Sequence, residues 1–318
     1  MLDYIHDQAK SLSSHWLAGG GLAQDFNELA QASVDLSATC IDADFLSKAI
    51  SDGYFDYQTA SVFSDFNFRP YSDKYMYAEV LNWSSMDTDL HNHDFVGLLW
   101  QINGIAMDVS YHFSDQVQLS EGVEFGELKV ASVDILRGER RDMQRITTGD
   151  TYIHAVGHLK TPTTSLLFRT QPLKGFHQSI FVPPGLKLSF SLDVKDRKAI
   201  RFFNYLSSSG EGEIHRFISA YFIDTHASLA RMLSVLIRLQ PIYSKVDQEA
   251  LLYALPVDTQ IRTIFEMTMN AFNHYRIKRE ASWRVDQLSE RSALMQSALS
   301  YGSEKNLNLI EKYCEPVY

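Results

Sequence analysis

The stretch Leu90-His91-Asn92-His93-Asp94 carries the residue types and spacing that could hold a metal ion. Along an extended strand, side chains at i and i+2 leave on the same face, so His91 and His93 can present both imidazoles to one cavity. A third ligand then has to come from a facing strand. Tyr152-Ile153-His154-Ala155-Val156-Gly157-His158 offers two of the same parity, His154 and His158. Gly149-Asp150 reads as a tight turn into that strand. Pro162 and its flanking threonines read as the turn out, into Ser165-Leu166-Leu167-Phe168-Arg169. His112 follows Tyr111 on a strand that could also line a barrel, whereas His177, His215, His226 and His274 have no neighbours that suggest ligation.

The elements that must position these residues fall into three textures. Up to about residue 60, apolar positions such as Leu22, Phe26, Leu29 and Ala30 recur at helical spacing, and Ala43 to Ile50 and Tyr57 to Phe63 read as further short helices. From Phe68 to Leu192 the pattern is that of short strands: Tyr75 to Trp83, Phe95 to Ile102, Glu127 to Leu136, Tyr152 to His158, Thr163 to Thr170 and Leu186 to Leu192. Turn signals stand at Asn103-Gly104, Arg137-Gly138-Glu139, Gly149-Asp150 and Pro183-Pro184-Gly185. Such punctuation predicts an all-β barrel or sandwich. Beyond Ile200 the three- and four-residue period returns, in Ile214, Phe217, Ile218 and Tyr221, then in Ala227 to Leu236, Asp258 to Tyr275 and Val285 to Leu299, with Pro241 and Pro256 as breaks. The expected fold class is α+β: a small barrel domain with a helical lead-in over residues 1–195, and a helical C-terminal domain over 196–318.

Composition excludes several classes. The net charge is −10 and no Lys/Arg-rich run occurs, so a phosphate-binding nucleic-acid surface is not expected. Arg137, Arg140, Arg141 and Arg145 are interrupted by Glu139 and Asp142 and read as a solvated hairpin tip. The letters His-Asn-His do not make a nuclease here, because that chemistry needs a ββα metal fold and a basic DNA-facing surface. Two distant cysteines, Cys40 and Cys314, make neither a disulfide framework nor a Cys-x-x-Cys site. The acidic N-terminal stretch lacks the pattern of a signal peptide, and no apolar run approaches the roughly 20 residues of a membrane span. A cytoplasmic protein with no membrane partner is expected.

With these motifs in order, the region from 68 to 192 resembles the cupin superfamily. Its first motif ends a strand in His-x-His and continues through apolar residues to a glycine, as His91-Asn92-His93 does before Gly104. Its second runs Gly-Asp to Gly-His, as Gly149-Asp150 does to Gly157-His158. Within that superfamily the chain looks most like the cysteine-dioxygenase-like thiol dioxygenases, with Arg69 upstream, the strand Tyr75 to Trp83, a loop into His91, and no acidic residue in Phe95-Val96-Gly97-Leu98. The resemblance implies a jelly-roll barrel and a non-haem Fe(II) held by His91, His93 and His158. His154 is the alternative third ligand, and as the unliganded histidine it would be a catalytic acid/base. Zn, Mn or Ni could occupy the same pocket.

The departures also matter. Where those enzymes place a Ser-x-His-x-Tyr strand, this chain has Ser165, Leu167 and Arg169, and Leu98 stands near the place of the crosslinking cysteine. Ser165 and Arg169 share parity and could face the cavity, so Arg69, Arg169 and Ser165 are the expected substrate-binding residues. The implied activity is a dioxygenase taking O₂ and a small polar, amino-acid-like or thiol substrate. A non-catalytic cupin sensor or interaction protein, dimerising through the helical C-terminal domain, and a metal-dependent isomerase or hydrolase are the other readings. Fold resemblance alone does not separate them.

Overall fold

A computed structural model of the chain describes residues 2–37, 39, 41–53, 64–84, 88–189, 191–208, 214–239, 257, 259 and 261–268. It has the expected α+β fold class: a small antiparallel β-barrel, with helices before it and after it in the chain. The helices expected at Tyr57–Phe63 and Val285–Leu299, half of Asp258–Tyr275, and both cysteines lie outside the described residues. The fold groups into two compact units. Among the described residues, one comprises those up to His112 and Lys129–Gln178; the other takes in Phe113–Leu128 and those from Ser179 to Thr268.

The first unit begins with α1 (Leu2–Ala18), α2 (Ala23–Ser33) and α3 (Ala43–Ser51). Leu2, Ile5, Ala9, Leu12 and Trp16 recur every three or four residues and form the buried stripe of α1. Asp42 caps α3 by accepting the Phe45 backbone N–H. Strands β1 (Phe66–Ser72), β2 (Met76–Trp83), β3 (His91–His93), β4 (Gly97–Ser120), β5 (Val123–Arg137), β6 (Met143–Ile146) and β7 (Gly149–Thr170) follow. Long β7 organises this unit. Its Thr163–Thr170 half lies between β2 and the start of β4, and its first half pairs with β3 and the middle of β4.

Alternation along these strands separates two faces. Ala78 and Val80 of β2, Leu98 and Trp100 of β4, and Leu166 and Phe168 of β7 pack with the helical stripe into one core. Their neighbours Leu81, Trp83 and Leu167 turn to the opposite side and cluster with Phe95 and Ile146. That inner side carries the candidate metal centre.

Two expected turns are not turns. Asn103-Gly104 lies inside continuous β4, where the register against β7 shifts and Gly104 takes φ +73°. The chain does not reverse there; the glycine makes a bulge, for which a positive φ is needed. Thr161-Pro162 likewise lies inside β7, so Tyr152–His158 and Thr163–Thr170 are one strand. At the expected hairpin tip, Gly138–Arg140 form a 3₁₀ turn, and Arg141 donates to the carbonyls of Ile102 and Thr39 instead of being fully solvated.

The second unit contains β8 (Ile180–Val182), β9 (Leu186–Leu188), α4 (Val194–Ser208), α5 (Ile214–Asp224) and α6 (Leu229–Leu239). β9 pairs with β8 and with the start of β5. Its core gathers Val123, Leu186, Phe203, Ile218, Phe222 and Leu236. Asp196, fully buried on α4, is paired to Arg231 Nε at 2.7 Å and accepts the Tyr221 hydroxyl at 3.0 Å, joining three helices. Among the described residues, no helix is long and apolar enough to cross a membrane.

Candidate metal centre

β3 places His91 opposite His154 of β7, while His93 pairs with Gly149, so the register shifts between the two histidines. The three rings face one another with centroid separations of 4.7 Å (His91–His93), 4.8 Å (His91–His154) and 4.9 Å (His93–His154). All three residues are buried, and each offers one nitrogen within 4.8 Å of the other two. That is a three-histidine metal-binding geometry. Between them, Asn92 turns the other way and donates to Asp150 at 2.7 Å, tying β3 to the start of β7.

Partners on the outer ring nitrogens fix two tautomers. His91 Nδ1 donates to the Asp89 carbonyl at 2.7 Å. His154 Nδ1 lies 3.1 Å from each Asp108 carboxylate oxygen, and the Tyr152 hydroxyl donates to the same carboxylate. Both arrangements commit Nδ1 as donor and leave Nε2 with its lone pair. Burial raises the Tyr152 phenol well above its usual pKa, with the Asp108 charge adding to the effect, so it stays protonated.

A metal fits this site. His154 Nε2 and His93 Nδ1 are buried and make no hydrogen bond among the described residues. Buried polar atoms left unpaired are costly, and a cation among them would supply the missing partner. Burial, reinforced by the neighbouring ring of His154, holds the His91 imidazole at a pKa of about 4, and burial lowers His93 far below its ordinary value as well. These two rings are therefore neutral at physiological pH, the state that ligates.

Beside the cluster lies a cavity lined in part by His93 and His154. Leu81, Leu99, Leu136, Ile146, Val156 and Leu167 make most of its wall, with Trp83 and Phe95. Polar groups enter from Gln101 and Ser165, whose Oγ donates to Gln101 Oε1 at 3.0 Å.

The two β7 histidines exchange the places expected of them. His154, not His158, joins His91 and His93. His158 is four residues further along β7, about 13 Å at strand spacing. It lines the cavity, stacks on Trp83 with ring centroids 4.6 Å apart, and is hydrogen-bonded through Nδ1 to Thr163 at 2.6 Å. Burial lowers its pKa to about 3.

Ser165 reaches the cavity, but Arg69 and Arg169 are not among its lining residues. Arg169 shares the inward face with Ser165 and Leu167 but stands at the strand's end. Its guanidinium lies 3.2 Å from the Phe95 ring centroid, 4.8 Å from that of Tyr77 and 3.7 Å from Asp94. Burial lowers its pKa to about 10, so it remains cationic at neutral pH. Arg69, with its side chain 42% exposed, covers Tyr77 and pairs with Glu79 at 3.2 Å. His112 is exposed.

Sequence reasoning missed Asp108, Tyr152 as its partner, Gln101 and Trp83. Asp108 left a signal: an acid amid Ala106, Met107 and Val109, in a strand otherwise apolar enough to be core.

No protein-family model and no curated protein matches the sequence. Solved structures do. The chain is similar to the DMSP lyase DddQ of Ruegeria pomeroyi DSS-3, at 16% identity over 46% of this chain and 72% of that one, with a TM-score of 0.30. It is similar to hydroquinone 1,2-dioxygenase of Sphingomonas sp. TTNP3, at 12% identity over 42% and 80%, with a TM-score of 0.28. A third likeness is to an uncharacterized conserved protein with a double-stranded β-helix domain from Klebsiella pneumoniae, at 11% identity over 46% and 94%, with a TM-score of 0.26. The chain spans 51% of the length of a further match, from crystal structures of DMSP lyases RdDddP and RnDddQII, at 15% identity over 36% of this chain and a TM-score of 0.25. At TM-scores of 0.30 and below, these likenesses assign no reaction.

Proposed function

We propose that the chain is a metal-dependent oxygenase of the cupin type, with His91, His93 and His154 holding a non-haem Fe(II) next to a cavity for a small-molecule substrate and O₂. The observation that supports it is the trio of buried imidazoles 4.7 to 4.9 Å apart, with the outer nitrogens of His91 and His154 already committed to Asp89 and Asp108. Three neutral ligands and no carboxylate would leave a divalent ion its full charge and open positions for two reactants side by side. Fe(II), when bound, supplies the activation of O₂.

The protein's own residues have separate tasks. Asp108 accepts the His154 Nδ1 proton, holding the ring in the Nε2-ligating tautomer and raising its basicity. Tyr152 donates to the same carboxylate, which keeps that buried charge satisfied. The leucine-rich wall excludes water from the reacting groups, and the Ser165–Gln101 pair orients the far end of a bound molecule.

The test is metal content by elemental analysis of untagged protein, wild type beside His91→Ala, His93→Ala and His154→Ala, followed by O₂ uptake with a substrate panel. Near-stoichiometric iron that disappears in all three variants supports the reading. Retention of zinc, manganese or nickel in preference to iron would favour an isomerase or hydrolase at the same site. Wild-type protein that keeps none of these ions, offered anaerobically, refutes the metal centre.

A further inference from the structure

Resting on that metal-centre reading, we propose that the substrate is a compact, largely apolar molecule, uncharged in water and carrying one ionisable oxygen, a phenol or an enol, rather than an amino acid or a thiol amino acid. The cavity's inventory of charges carries this inference. Among the described residues, no lysine or arginine lines it. Arg169 is held against the Phe95 ring, and Arg69 against Glu79. Asp108 is the one carboxylate that reaches the lining, and it is engaged by His154 and Tyr152. A zwitterion would bring an ammonium that finds no free acid and a carboxylate that finds no guanidinium. The metal ion could take the carboxylate, but the ammonium would forfeit its hydration against leucine, isoleucine and valine side chains with nothing in return.

The metal end asks for something different. Three neutral imidazoles would leave two positive charges buried, and a single anionic oxygen offsets part of them. A phenol or enol passes the apolar wall as a neutral molecule and, giving up its O–H proton to water as it binds, can still present such an oxygen at the ion. The wall's chemistry agrees, because Trp83 and His158, stacked on each other with an interplanar angle of 22°, both line it and give it aromatic character suited to a conjugated ring or enol. The Ser165 hydroxyl and the Gln101 amide offer a hydrogen-bonding place for one further polar atom.

The test uses the full chain loaded with Co(II), whose visible bands report exchange at an open coordination position. The probes are 4-methylphenol, acetylacetone and L-cysteine, with metal content checked before and after each titration. Saturable band shifts with 4-methylphenol and acetylacetone, and none with L-cysteine, are expected. Leu167→Asp places a charge in the wall and should raise the 4-methylphenol half-saturation by about tenfold or more while Co(II) is retained; Leu167→Asn repeats the comparison should the aspartate variant not fold. Saturation by L-cysteine alone overturns this substrate class and leaves the metal centre standing. Failure to take up Co(II) overturns both, and the metal analysis identifies that case.

Discussion

His154 Nδ1 lies 3.1 Å from both carboxylate oxygens of Asp108, across the pairing of Asp108 on β4 with Val156 on β7. The acid and the ring that it orients thus belong to neighbouring strands. Asp108 is 2% exposed, so its charge is weakly screened and its hold on the ring correspondingly firm. Because Tyr152 shares the carboxylate, replacing any one of the three leaves a buried partner unsatisfied.

Asp108→Asn keeps the shape but can turn its amide N–H₂ toward His154, which destabilises the ligating tautomer. Metal affinity should fall by about 10- to 100-fold, read by chelator competition. An unchanged affinity would show that the carboxylate does not orient His154.

His154→Ala and His158→Ala separate the two histidines of β7. The first should abolish stoichiometric metal binding. The second should leave metal content intact, because His158 stacks on Trp83 away from the cluster, while weakening the binding of cavity ligands. Elemental analysis of both variants decides it, and metal loss confined to His158→Ala would reverse the assignment.

Acid should destabilise the metal-free protein before its carboxylates titrate. Burial, as the main cause, holds His91 at about 4 and His158 at about 3, against 6.5 in the unfolded chain. Below pH 6.5 the unfolded state therefore binds protons that the folded state refuses. The stability contributed by these neutral rings is fully present above that pH and is lost as pH falls toward 4 and then 3, by up to ~1.4 kcal/mol per pH unit for each ring. Urea denaturation at pH 7.5 and 5 should show the loss, and His158→Phe should make it shallower.

Gly104→Ala should cost about 1–3 kcal/mol, because φ is +73° and the new Cβ would stand 2.6 Å from Thr163 Cγ2 and 2.8 Å from the Pro162 carbonyl. Thermal melts are the measurement. A neutral result would mean that the β4 bulge is not confined as described.

Arg231→Ala would leave the Asp196 carboxylate, fully buried, without its cation at 2.7 Å. A loss of about 3–5 kcal/mol is expected for breaking a buried pair from one side. Hydrogen exchange should accelerate in α4 to α6, and unaltered protection there would sink the prediction.

Much of the local architecture was legible in the sequence, because period and parity are local properties. The Phe26 and Ala30 stripe of α2, the extent of β2, the inward facing of His91 with His93 and of Ser165 with Leu167 all follow from 3.6- and 2-residue repeats. Parity could narrow the third ligand to His154 or His158, since both leave β7 on the same side, but could go no further. Choosing between them requires the register of β3 against β7, which pairs His91 with His154. Register is set by pairing with residues far away in sequence, so no pattern within either strand contains it. The same non-locality makes Asn103-Gly104 a bulge instead of a turn, since both its flanks pair with β7. It also decides that Arg169, inward by parity, ends against Phe95 and Tyr77 and not in the cavity. The residue types that could ligate a metal were written in the chain; which three meet, and which acid orients one of them, was decided only by the way the strands pair.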